Sequence, residues 1–206
     1  MRKKTFNDSE MFLLKNWPSA RRMEEAMNAV RFEKYAAIIG DACRLLVDRL
    51  GKSDWEMEVF PTQHWCDGWM TFWPKKWEKC NTKGETPWFR IGGLRLEHLL
   101  SDDAPSMDNR VPYAAFSIRD LRKAGWDLVR LMGQVQGATK QMLRKVHRSS
   151  LEDEEEPVCY NLPEGRTEIR RLLLSDEAGF TRLLIAHGLR LADLAPTVSK
   201  VLANYK

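Results

Sequence analysis

From Trp55 to Val59 apolar and charged side chains alternate without a break: Trp, Glu, Met, Glu, Val. A period of two is the signature of a half-buried strand. Residues 86–91 and 93–98 look like further strands, and residues 113–116 form a short, largely apolar run. Between the first two segments stand four tryptophans spaced by four, Trp65, Trp69, Trp73 and Trp77. That spacing is close to one helical turn. However, Pro74 would break a helix there, and Asp67-Gly68 is a strong two-residue hairpin signal. Such a turn sets Cys66 opposite Trp69, His64 opposite Thr71 and Thr62 opposite Trp73. Trp69 and Trp73 then share one face of the hairpin, and Met70 and Phe72 the other.

The segments on either side have a longer period. Asp8 or Ser9 can cap a short helix to about Asn16, and Pro18 suits the first turn of the next. From 19 to 50, Met23, Met27, Val30, Ile38, Cys43, Leu46 and Leu50 mark a helical stripe that Gly51 ends. From Ser117, with Asp120 resembling a capping box, Leu121, Leu128, Val135 and Met142 recur at heptad spacing to about 148. An acidic run, Glu152-Asp153-Glu154-Glu155-Glu156, then leads into Pro157. Beyond it, Val158-Cys159-Tyr160 reads as a strand. Helices follow near 167–174, 176–187 and 191–205.

These elements predict an α+β protein. A mostly antiparallel sheet at about 54–116 packs against a long N-terminal helix and a central helix at 117–148. A core domain of residues 1–150 precedes an acidic linker and a small helical part at 151–206.

Composition narrows the function classes. The chain has 206 residues, 43% of them hydrophobic, and a net charge of +4. No stretch approaches the eighteen or so apolar residues of a membrane span. The only apolar run near the start is Met11-Phe12-Leu13-Leu14, too short for a secretory core. The four cysteines form no CxxC pair, so reduced thiols and a cytoplasmic setting are expected.

Charge is uneven along the chain. Residues 117–150 carry eight basic side chains, Arg119, Arg122, Lys123, Arg130, Lys140, Arg144, Lys145 and Arg148, against two acids. Such a stripe suits phosphate contacts, although the acidic run behind it would repel phosphate. A helix-turn-helix is a further reading of 176–202, with its turn at 188–190 and Thr197, Ser199 and Lys200 on a recognition helix.

Common catalytic signatures are missing from the sequence. It contains no GxxxxGK[ST], GxGxxG, GxSxG or HExxH, and no lysine has an acid two places before it. His64, Cys66 and Cys80, with Asp67 or His98, make a poor zinc set without a second paired knuckle. Glu56 and Glu58 share a strand face, where charges are usually the wet side of a sheet. No catalytic residue, metal or cofactor is therefore expected. Tryptophan and arginine dominate interface energies, so the expectation is a non-catalytic accessory or regulatory protein. Trp69, Trp73, Trp77 and Trp88 would anchor a partner protein, and nucleic acid binding is the alternative.

Overall fold

A computed structural model of the chain describes residues 7–59, 69–100, 111–143 and 155–205. Five strands form one antiparallel sheet: β1 Trp55–Val59, β2 Met70–Pro74, β3 Trp88–Gly92, β4 Tyr113–Ser117 and β5 Val158–Asn161. Their order across the sheet is their order in sequence, so each strand pairs with the next. The α+β class and the antiparallel sheet are as the pattern predicts. The sheet continues past 116 because the chain returns after the acidic run and lays β5 against β4.

The alternation in β1 sets the two faces. Glu56 lies opposite Trp73 and Glu58 opposite Thr71, then Thr71 opposite Arg90, Arg90 opposite Ala115, and Ala115 opposite Cys159. Intervening residues point to the other face and fill the core. Phe89 sits between Phe72 and Phe116, with ring centroids 5.5 and 5.3 Å away. The register corrects the expected two-residue hairpin. Trp73 lies opposite Glu56 rather than Thr62, and Thr71 opposite Glu58 rather than His64; residues 60–68 lie outside the described residues.

The core face is covered by α3 Ala36–Leu50 and α7 Glu177–Ala192, which also pack on each other. Gly188 lets them approach: a Cβ there would stand 2.3 Å from Leu46 Cδ2. At the N-terminus, α1 Asp8–Lys15 is capped by Asn7 and Glu10 in a reciprocal box, one residue earlier than expected. A nearly continuous helix follows: α2 Trp17–Asn28, a π-helical stretch Ala29–Tyr35, and α3. Gly51, at φ 97°, ends it in a conformation that glycine adopts without penalty.

Three expectations fail here. Residues 93–98 are not a strand; Gly93 turns at φ 69° and the short helix α4 Leu96–Leu100 follows. Nor is 117–148 one helix covering the sheet. Ser117 ends β4, a 3-10 turn spans Arg119–Arg122, and Gly125 reverses the chain at φ 84°. Asp127 then caps α5 Leu128–Thr139, which packs on α8 Ala195–Asn204. Finally, α7 runs straight through 188–190, which removes the expected helix-turn-helix turn; α6 Gly165–Ser175 precedes it. Among the described residues no helix is long and apolar enough to cross a membrane.

Candidate functional site

The face of the sheet turned away from α3 and α7 is divided. Over β4 it is closed: Tyr113, Ala115 and Ser117 are buried. Glu156, also buried, reaches Arg90 there at 3.4 Å. The Ile118 N–H donates to the Glu155 carbonyl at 2.9 Å, tying the end of the acidic run to the edge of β4. Over β1–β3 the face stays open as a groove of about 520 Å³. Its walls include Glu58, Trp69, Trp73, Trp88, Arg90 and Asp120.

Arg90 is the centre of this groove. Its guanidinium lies 4.5 Å from the Trp88 ring centre and 5.2 Å from that of Trp69. Each such stack contributes about 0.5–2 kcal/mol, according to how dry it is. Arg90 Nη1 also donates to the Tyr113 hydroxyl at 3.1 Å. The side chain is thus held from several sides. Two indoles are fixed by their N–H groups. Trp88 Nε1 donates to Asp120 at 3.0 Å, and Trp73 Nε1 to Glu78 at 3.1 Å. Their polar edges are occupied, while all three rings remain half-buried.

Basic groups reach the rim, but each meets a carboxylate. Lys123 pairs with Asp120 at 3.1 Å and Glu85 at 3.7 Å. The hydrogen bond to Asp120 and that negative charge hold the Lys123 ammonium above its ordinary pKa. Arg119 and Arg122 both reach Glu155, at 3.3 and 2.7 Å. Close to the groove, positive charge is therefore largely neutralised.

Of the four expected anchors, Trp69, Trp73 and Trp88 converge on the groove. Trp77 lies elsewhere. It sits in the 3-10 turn Lys75–Lys79 after β2, is 2% exposed, and packs on Phe89 and Phe116. Its indole N–H donates to Ser199 Oγ at 2.9 Å. The basic residues also part company. Arg119 and Lys123 line the groove, with Arg122 beside Arg119 on Glu155. Arg130 lies over the Tyr205 ring at 5.3 Å, and Lys140 is exposed beyond α5. Arg144, Lys145 and Arg148 lie outside the described residues. Ser199 and Thr197 turn toward the protein's own Trp77 and Met142 rather than outward.

Among the described residues no cluster of His, Cys, Asp and Glu could hold a metal. His64, Cys66 and Asp67 lie outside them. Cys80 interacts with Asn81 and the Glu85 carbonyl. Glu56 meets Lys75 at 3.8 Å. A separate, part-buried pair joins α7 to the start of α6: His187 Nε2 lies 3.0 Å from Glu164 Oε2. Burial pushes the His187 pKa below its ordinary value, against the opposing pull of Glu164.

Sequence reasoning missed Arg90, Asp120 and Glu58 as parts of this site. The signal for Arg90 was present, because it stands two residues from Trp88 in an alternating segment. Nothing local signalled Asp120, whose place depends on the turn after β4. The chain matches no protein-family model, no curated protein and no solved structure.

Proposed function

We propose that the chain is a non-catalytic accessory or regulatory protein whose groove over β1–β3 grips an exposed segment of a partner protein. The observation that carries this reading is the convergence of Trp69, Trp73 and Trp88 around Arg90 on the sheet face that the helices leave open. Half-buried aromatics held by hydrogen bonds lose little freedom on binding, which favours them as anchors. The groove volume lies within the roughly 300–1,000 Å³ of ligand-binding clefts. The charge pattern supports a peptide over a polyanion. Arg90, Arg119 and Lys123 each have a carboxylate nearby, so phosphate would have to displace those partners. Nucleic acid remains a second reading because Arg119 and Lys123 stand on the rim of the same aromatic groove.

Selecting a displayed peptide library on the immobilised full-length chain tests the first reading. An enriched sequence motif is expected. Its affinity should fall at least roughly ten-fold in Trp69→Ala and Trp88→Ala, about 1.4 kcal/mol per substitution, with far-UV circular dichroism unchanged. No enriched motif, or affinity indifferent to both substitutions, refutes it. Binding of a single-stranded oligonucleotide at about 50 mM salt, weakened by Lys123→Ala, would support the second reading instead.

A further inference from the structure

Hydrogen bonding in the groove over β1–β3 is lopsided. Thr71 forms its buried floor, and the Thr71 hydroxyl donates to the Glu58 carbonyl at 2.8 Å. On the wall, the Thr86 hydroxyl donates to the Gly84 carbonyl at 3.3 Å. The indole N–H groups of Trp73 and Trp88 are spent on Glu78 and Asp120. Each cation is matched as well: Arg90 by the buried Glu156, Arg119 by Glu155, and Lys123 by Asp120 and Glu85. The acids divide differently. Asp120 is engaged by both Trp88 and Lys123. Glu58 is exposed, and among the described residues its carboxylate has no hydrogen-bond or ion-pair partner.

The strand register fixes what surrounds Glu58. It stands opposite Thr71, and Thr71 stands opposite Arg90. Glu58 and Arg90 therefore face each other across the floor. Trp73 follows Thr71 by two residues, so it shares that face. It is a diagonal neighbour of Glu58, within the reach of an aromatic side chain. On the β3 side the groove already holds a cation in this way. The Arg90 guanidinium lies over Trp88 and Trp69 with the Glu156 carboxylate 3.4 Å away. The β1 side repeats the indole and the acid, as Trp73 and Glu58, and among the described residues no cation lies over Trp73. We infer that the partner segment carries a basic side chain, Arg or Lys, that lies over Trp73 and pairs with Glu58. This rests on the reading that the groove holds a protein segment, and it names the chemistry that segment presents. A cation over an indole face is drawn by the ring quadrupole, and a carboxylate beside it adds a charge-assisted hydrogen bond. Repulsion from Arg90 is offset by its own Glu156. An acidic segment would instead meet Glu58 as a like charge, and would have to displace a carboxylate from Arg90, Arg119 or Lys123.

A displayed library of random peptides, selected in parallel on the full-length wild type, Glu58→Gln and Glu58→Lys, tests this. Glu58 is exposed, so both variants should keep the far-UV circular dichroism of the wild type. Peptides enriched on the wild type should share Arg or Lys at one position. Replacing that residue by Gln in a synthetic peptide should weaken binding roughly ten-fold on the wild type. On Glu58→Gln, where the acid is already gone, the same replacement should cost distinctly less. Glu58→Lys should enrich Asp or Glu at that position. A shared motif without a basic position overturns this inference and leaves the groove reading standing. So does a basic position whose contribution is the same on Glu58→Gln as on the wild type, or a wild-type motif whose charged position is acidic. No shared motif on any of the three proteins overturns both.

Discussion

Trp77 and Ser199 offer the sharpest test of how this fold is closed. They are separated by 122 residues and join the turn after β2 to α8. Trp77 is 2% exposed. A tryptophan buries about 150–250 Å², which at about 25 cal/mol per Å² amounts to roughly 4–6 kcal/mol. Trp77→Ala should therefore cost about 3–5 kcal/mol, a large part of the 5–15 kcal/mol that stabilises a typical domain. A graded pair of substitutions is more informative. Trp77→Phe keeps most of the contact with Phe89 and Phe116 but loses the pyrrole edge, for about 1–2 kcal/mol. Ser199 Oγ donates to the Ala195 carbonyl at 2.7 Å, leaving its lone pairs to accept from the indole. Ser199→Ala strands that N–H, at about 1–3 kcal/mol. In the double variant no N–H is left to strand, so the combined loss should fall short of the sum by about 1 kcal/mol. Urea unfolding followed by far-UV circular dichroism measures all four proteins; fluorescence is less suitable with eight tryptophans in the chain. Additive losses, within about 0.3–0.5 kcal/mol, would refute the linkage between the sheet and α8.

Three other outcomes follow from particular contacts. Gly188→Val should destabilise the protein by about 1–3 kcal/mol, because a Cβ there meets Leu46 at 2.3 Å, and Leu46→Ala on the same background should recover part of the loss; thermal unfolding reads both. Burial holds the His187 pKa below its ordinary 6.5 in the folded chain, so the unfolded chain takes up that proton first. Its contribution to stability is complete above about pH 6.5 and is lost as pH falls through the folded-state value; His187→Gln should flatten urea midpoints measured across that range. Burial also pushes the Cys43 thiol up to about 12, so brief treatment of the native protein with iodoacetamide at pH 8 should leave Cys43 unmodified by mass spectrometry and label it only after denaturation.

The strands were legible where one period served one purpose. Trp55–Val59 alternates because one face is core and the other is not, and the same logic carried Trp88–Gly92. The segment 93–98 misled because Leu94 and Leu96 mimic that alternation. The deciding facts are not local: a Cβ at Gly93 would lie 2.8 Å from the Val111 carbonyl oxygen, and Leu94 and Leu99 are both buried. The heptad after Ser117 was a partial truth. Leu121, Leu128 and Val135 are indeed core residues, but periodic burial does not require a continuous helix, and Gly125 interrupts this one. Among the anchors, the four-residue spacing carried no information about depth. Trp69 and Trp73 stand two pleats apart on one face, whereas Trp77 has left the strand and turned inward. The groove was visible as an aromatic face. Its closing partner, Asp120, was not, because only the tertiary path after β4 brings it to Trp88.

Alternation in β1–β3 also separates two kinds of genetic freedom. Phe72, Phe89 and Ile91 carry the core, while Trp73, Trp88 and Arg90 stand on the intervening positions of the same strands. A single codon step along the gene thus passes from a side chain enclosed by the helices to a half-buried one on the open face. Substitutions at every second position would therefore change the chemistry of the open face while the packed face keeps its side chains.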